Sequence, residues 1–318
     1  MSRTSTEVYM SSLAYQLGER RRVSDLMLPD DVRRRLMGPE GGLTFHLVSE
    51  ASCVDLAVNS ARKTLDAASS RGLRAADIDA LMIASNSLSR QSGAEVIASV
   101  ARSLELWRAT AVLVNSGDCC NFQVAARLCH GLVASGQYRN VLLIAADRVA
   151  DVCANQFVAV RGAGINSDAA ASCIVSKDIR AGFKLNGHFQ HAADAALLSE
   201  QSSVREGFIK FIEVIRCVFK DMCESCGVTP DQIGQLIINT YTNTVAEASS
   251  LATRLPMSKI YTKNIARTAH CFAADNLINL HDYSVDAQPE VGTLIALMGS
   301  GVYQWSAFLA EVHDPKRT

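Results

Sequence analysis

The stretch G-L-R-A-A-D-I-D-A-L-M-I-A-S (residues 72–85) decides the fold, because the chain repeats its pattern as G-V-T-P-D-Q-I-G-Q-L-I-I-N-T (227–240). Both segments are fourteen residues long, with Ile at the seventh position and Leu at the tenth. Each opens on a glycine that can end the preceding long helix. Each closes on an apolar run suited to a buried strand. Two helix–turn–strand units, one in each half, indicate a duplicated α/β module.

The surrounding pattern agrees. Strands are expected at Ala80–Ser85, Ala111–Val114, Val141–Ala146, Ala171–Ser176, Gln235–Tyr241, Lys259–Thr262, Thr293–Met298 and Trp305–Val312. Helices are expected at Val48–Ser70, Ala94–Trp107, Asn121–Ser135, Val204–Ser225 and Val245–Leu255. This alternation predicts an α/β fold with buried sheets. No low-complexity linker divides the chain, and the two halves are drawn at 1–177 and 178–318.

Composition removes several function classes. The 318 residues are 48% hydrophobic, enough for a large core, and carry a formal net charge of −1. That balance predicts no broad basic face, so no nucleic-acid partner is expected. The arginine runs Arg20–Arg22 and Arg33–Arg35 read as solvated surface, or as local contacts for a phosphate or an acidic partner. No apolar stretch is long enough to span a bilayer. The N-terminal M-S-R-T-S-T-E-V-Y-M lacks the apolar core of a secretory signal. Ten cysteines in such a chain read as reduced thiols in the cytoplasm. Cys223 and Cys226 form a lone CxxC, and without a second pair or suitably spaced histidines no zinc site is expected.

The duplication extends to two polar loops. In the first half, A-V-L-V (111–114) leads to N-S-G-D-C-C-N-F, with Cys119 at a helix mouth. In the second, K-I-Y-T (259–262) leads through N-I-A-R-T-A-H-C-F to His270. Packing of the halves about a pseudo-two-fold axis would bring these loops together, pairing a thiol with an imidazole. Phe122, Ala125, Ala126, Cys129, Leu132 and Val133 recur at helical spacing after Cys119, and Gly136 closes the helix. A helix mouth favours a thiolate, while neighbouring Asp118 opposes it. On local features alone, a buried structural thiol fits Cys119 as well as a nucleophile does, and Cys120 is a one-residue rival.

The run from Cys119 to Gly136 resembles the active-site helix of the ketoacyl-acyl-carrier-protein synthase III family, which has the thiolase fold. The family pattern is C-x-G-F, an alanine-rich helix, then S-G. With Cys119 as nucleophile, Phe122 and Ser135–Gly136 fall at that spacing, whereas Cys120 breaks it. The segment V-L-L-I-A-A-D is similar to the family's next strand, and M-G-S-G-V-Y-Q-W-S-A-F-L to its glycine-rich loop and last strand. The resemblance covers nearly the whole chain, in order and spacing more than in identity. It implies duplicated thiolase-like halves in an αβαβα layering. It also implies a homodimer and an acyl thioester of CoA or of a phosphopantetheine carrier protein as donor, with no permanently bound cofactor.

The departures from the family are at its chemistry. Where the family has H-Q-A-N, this chain has T-Y-T-N. Thr240 stands in the His place and Asn243 matches the last residue, so both are pocket candidates. Where the family has G-N-T-S-A-A-S, this chain has A-H-C-F-A-A-D, so His270 stands in the Asn place and Asp275 follows five residues on. A Thr hydroxyl is no base near neutral pH, which counts against decarboxylative condensation. Cys119, His270 and Asp275 have instead the makings of a thiol–imidazole–carboxylate triad. This arrangement resembles a branch of the family in antibiotic and other secondary-metabolite pathways. Those members move an acyl group from CoA or a carrier onto a hydroxyl, an amine or another carrier. The backbone N–H groups of Cys119 and Gly301 are the expected oxyanion donors.

Two other functions remain open at this stage. One is a condensing enzyme with a Cys–His dyad, and the other is a non-catalytic partner subunit of such an enzyme. Asn276 rivals Asp275 as the partner of His270. His46, His130, His188, His191, His281 and His313 lack a comparable context and are expected to be surface or structural.

Overall fold

The computed structural model describes residues 7–88, 93–153, 157–159, 162–193, 204–301 and 304–314. The first half contains β1 (Tyr9–Leu17), β2 (Glu19–Arg22), α1 (Asp30–Met37), β3 (Phe45–Val48), α2 (Cys53–Ser69), β4 (Ala80–Ala84) and α3 (Gly93–Ser103). It continues with β5 (Thr110–Val114), α4 (Asn121–Ala134), β6 (Asn140–Asp147), α5 (Val149–Cys153) and β7 (Ala169–Ser176). The second half contains β8 (Gly182–Ala193), α6 (Val204–Cys226), β9 (Ile233–Ile237), α7 (Asn243–Thr253), α8 (Ile265–Thr268), α9 (Asp275–Ala287), β10 (Leu294–Ser300) and β11 (Gln304–Asp314).

Nine strands hydrogen-bond in the order β5-β4-β6-β7-β1-β8-β11-β10-β9, and β2 pairs separately with β3. The halves meet at a short β1–β8 pairing, Tyr9 with Lys184 and Met10 with Phe183. α4 packs on β4, β6 and β7 of one half and on β8, β10 and β11 of the other. α9 likewise packs on β1 and β7 and on β9 and β10. These two helices are the middle layer. α2 covers the outer face of the first half, and α6 that of the second, giving five alternating layers.

Strand residues alternate between these layers. On β4, Leu81 and Ile83 join the outer core under α2, while Ala80, Met82 and Ala84 face the central core with Phe122 and Ala126 of α4. On β11, Trp305, Ala307 and Leu309 face α6, and Phe308 and Ala310 face the centre. Burial of both faces explains why these strands read as continuous apolar runs rather than as alternating ones.

The repeat is visible in detail. Gly72 and Gly227 both adopt positive φ, 83° and 67°. Each is followed by a 3-10 turn, Ala75–Asp77 and Pro230–Gln232. In both turns a side chain three residues on accepts a capping N–H, from Arg74 to Asp77 at 2.9 Å and from Thr229 to Gln232 at 2.8 Å. β4 and β9 then enter the sheet parallel to their neighbours.

Some boundaries differ from expectation. The strand expected at Lys259–Thr262 is a 3-10 turn, Met257–Lys259, followed by a single bridge from Leu236 to Ile260. Pro256, which lacks an N–H, opens that turn. The helix expected from Val48 starts at Cys53, because Ser52 and Asp55 form a capping box. β1 and β8 were not expected. Ser11 and Ser12 interrupt the apolar pattern of β1, which carries a register shift between Ser11 and Ala14.

Candidate active site

Cys119 lies in a 3-10 turn, Asp118–Cys120, that joins the loop after β5 to α4. Asp118 has φ 52°, uncommon for a residue with a side chain. A carboxamide relay holds the bend. The Gly117 N–H donates to Asn121 Oδ1 at 2.7 Å, Asn121 Nδ2 to Asn86 Oδ1 at 2.9 Å, and Asn86 Nδ2 to Asp118 Oδ1 at 3.3 Å. Behind it, buried Asp147 at the end of β6 accepts the N–H groups of Asn86 and Ser87 at 2.8 and 2.9 Å.

His270 comes from the other half but is bonded to the first. Its N–H donates to the Ile165 carbonyl at 2.8 Å, and its carbonyl accepts the Ser167 N–H at 2.8 Å. Ala269 at φ 53° makes the turn that aims the ring. The ring lies between Tyr241 and Phe272, with centroids 4.3 and 5.3 Å away.

The three side chains form one hydrogen-bonded line. Cys119 Sγ is 3.2 Å from His270 Nε2, and His270 Nδ1 is 2.5 Å from Asp275 Oδ2. Relative exposures are 8% for Cys119, 2% for His270 and 1% for Asp275. Asp275 is the first residue of α9, where a carboxylate suits the helix dipole. It also accepts the Cys271 N–H at 2.7 Å and the Thr240 N–H at 2.8 Å. A carboxylate oxygen accepts, so the tautomer that fits this contact carries its proton on Nδ1 and turns an unprotonated Nε2 toward the sulfur.

Electrostatics correct one expectation. Burial pushes the Cys119 thiol well above its ordinary range, and the Asp118 carboxylate adds to the effect. Desolvation outweighs the helix mouth and favours the neutral thiol. Burial also raises the Tyr241 hydroxyl well above the usual phenol range, reinforced by Cys119 and Asp118.

A cavity of about 520 Å3 opens over this line. Val152, Phe208, Phe211, Val245, Phe272 and Trp305 give it apolar walls, and Arg35 and Glu40 also line it. Cys119, Tyr241, His270 and Gly301 all face it.

Other expected site residues lie elsewhere. Thr240 is not a pocket wall: its hydroxyl exchanges hydrogen bonds with buried Asn279, and its N–H holds Asp275. Strand-like alternation turns its neighbour Tyr241 into the cavity instead. Asn243 is tied to the Pro39 carbonyl at 2.9 Å, outside the cavity lining. The Gly301 N–H donates to the Gln304 carbonyl at 2.7 Å, so in this conformation it is not aimed at a substrate oxygen. Gly301 nevertheless abuts the Cys119 loop, since a Cβ there would lie 3.3 Å from the Cys119 nitrogen. Cys120 points to the Gln304 carbonyl at 3.1 Å, and Asn276 reaches the Met298 carbonyl rather than His270.

His46 packs on Phe157, His130 on Phe189 and His313 on Tyr9, while His281 bonds to Asp282. The side chains of His188 and His191 on β8 lie outside those described. Among the described residues no group of three His, Cys, Asp or Glu could hold a metal ion, and no helix is long and apolar enough to cross a membrane.

Sequence reading missed Tyr241 and the Asn86–Asn121 relay. A tyrosine directly after an apolar strand, beside Thr240, was the available signal.

The architecture is that of the thiolase fold, as found in ketoacyl synthase III enzymes. The structure of 3-oxoacyl-[acyl-carrier-protein] synthase III from Aquifex aeolicus superposes with a TM-score of 0.79 and 17% identity, covering 96% of this chain and 99% of that one. ChlB3, an acyltransferase, matches with a TM-score of 0.79 and 16% identity over 97% of this chain and 98% of its own. The priming β-ketosynthase of the R1128 polyketide pathway matches with a TM-score of 0.78 and 15% identity over 98% of both chains. No family model and no curated protein matches the sequence, so the likeness is one of structure.

Proposed function

We propose that this protein is an acyltransferase that carries its acyl group on Cys119. The donor is an acyl thioester of CoA or of a phosphopantetheine carrier protein. The acceptor is a hydroxyl, an amine or a carrier thiol, and no decarboxylative condensation occurs. The observation that carries the reading is the buried line from Cys119 through His270 to Asp275. His270 Nε2 takes the thiol proton as sulfur attacks the thioester carbon, and returns it to the departing thiol. It then deprotonates the acceptor, while Asp275 holds the imidazole's orientation and stabilises its charged form. The apolar cavity walls suit an acyl chain.

The fold is shared by acyltransferases and ketosynthases, so side chains must decide. Condensation needs groups that stabilise the anion left by decarboxylation. Thr240, which stands in the place of the family histidine, is directed at Asn279 instead. The test is intact-protein mass after incubation with acyl-CoA and acyl-carrier donors. An acyl adduct present in wild type and absent from Cys119→Ala is expected. Release of CO2 from a malonyl thioester would point to condensation, and no adduct from any donor would point to a partner subunit.

We also infer a homodimer through β5. It is an edge strand whose Val112 is 37% exposed, next to Trp107 at 73%, and unpaired edges of this kind are normally covered.

A further inference from the structure

We propose that the Tyr241 hydroxyl donates a hydrogen bond to the oxyanion formed when Cys119 attacks a thioester, in the role that the engaged Gly301 N–H does not fill. The proposal rests on the acyl-cysteine reading above.

The geometry places this hydroxyl at the correct corner. It donates to the Ser300 carbonyl at 2.8 Å, and Ser300 is joined by its peptide bond to Gly301. Gly301 abuts the Cys119 nitrogen. Tyr241, Cys119 and Ser300 all line the same cavity, and the Tyr241 hydroxyl is also in hydrogen-bonding range of the Cys119 thiol. The Gly301 N–H is held by the Gln304 carbonyl. Tyr241 is also well fixed. Its ring stacks on His270, and the next residue, Thr242, donates its N–H to Ala163 at 3.0 Å. Burial, with Cys119 and Asp118 nearby, raises the phenol well above its usual range, so the hydroxyl stays protonated and can donate. A neutral donor in a water-poor site stabilises developing charge strongly.

In the acylation step the Cys119 sulfur bonds to the thioester carbon, and the thiol proton passes to His270 Nε2. The carbonyl electron pair moves onto oxygen. Tyr241 exchanges the Ser300 carbonyl for that oxygen as its acceptor. Return of the pair breaks the bond to the pantetheine sulfur, which leaves with the proton from His270. The same donor serves the second tetrahedral intermediate, when the acceptor attacks acyl-Cys119.

Tyr241→Phe tests this, because it keeps the ring on His270 and removes only the hydroxyl. Single-turnover acylation is followed by mass with acetyl-, hexanoyl- and octanoyl-CoA, alongside alkylation of Cys119 by iodoacetamide, which forms no oxyanion. The expected result is acylation slowed by roughly 10²–10³-fold, far more than alkylation, which changes only as much as the thiol itself loses its hydrogen bond from Tyr241. Acylation at the wild-type rate, or equal loss of both reactions, would overturn the donor role. If wild type forms no adduct with these three donors or with the matching acyl-carrier-protein thioesters, the acyl-cysteine reading fails and this proposal falls with it. An adduct formed equally by wild type and variant removes the donor role alone.

Discussion

At the scale of single residues, Asp275 has more than one task. It aligns His270 and also accepts two backbone N–H groups, from Cys271 and Thr240. Asp275→Asn keeps its size but offers the imidazole an amide in place of a carboxylate, which favours the wrong tautomer. We expect acylation of Cys119 to fall by about 10²–10⁴-fold in single-turnover assays, with only a modest drop in melting temperature. Loss of stability without loss of rate would make Asp275 a structural helix-start residue only. That His270 and Asp275 lie in line with Cys119 was legible in the sequence, because the resemblance set their positions and the duplication set a cysteine opposite them. Tyr241 was not. The comparison put Thr240 in the place of the family histidine, but a shift of one residue in extended chain reverses which side chain faces the cavity. The thiol's state was also hidden, since a helix mouth is visible in a sequence and the depth of burial is not.

At the scale of elements, the end of β6 joins the loop after β4 to the turn that carries Cys119. Asp147 is fully buried there, and burial raises its carboxyl to about 7 despite three hydrogen bonds to Oδ1. Its Oδ2 has no partner among the described residues. The folded state therefore holds this proton more tightly than the unfolded chain. Its contribution to stability is full at acid pH and is lost as pH rises toward and through about 7. Asp147→Asn removes that term. Thermal unfolding of both proteins between pH 5 and pH 8 should show the variant gaining on wild type as pH rises, by an amount on the order of a few kcal/mol. A constant difference across that range would mean that Asp147 does not titrate there. Among whole elements, the long apolar strands and amphipathic helices were readable because both sheet faces are buried. β8 escaped notice because its glycines and polar residues dilute the pattern, although Phe183 and Leu185 alternate with Lys184 and Asn186 in plain view.

At the scale of the molecule, the five layers put the reactive line at the seam between the halves. The αβαβα arrangement was legible from the repeat and the resemblance together. The continuous hydrogen bonding through β1 and β8 was not, because it depends on two-residue registration between distant strands. The β5 edge makes a prediction at this scale. The protein should elute at twice its chain mass, and Val112→Asp should shift it toward the monomer while leaving its circular dichroism unchanged. A monomeric wild type at micromolar concentration would remove the dimer. The seam also has a kinetic consequence. Cys119 and His270 are 151 positions apart, and the His270 backbone is pinned to residues 165 and 167 of the opposite half. Contacts of such high contact order form only after large loops have closed. During refolding, helices and single-half cores should therefore appear before Cys119 meets His270, so the regain of the proposed acylation should trail the regain of secondary structure.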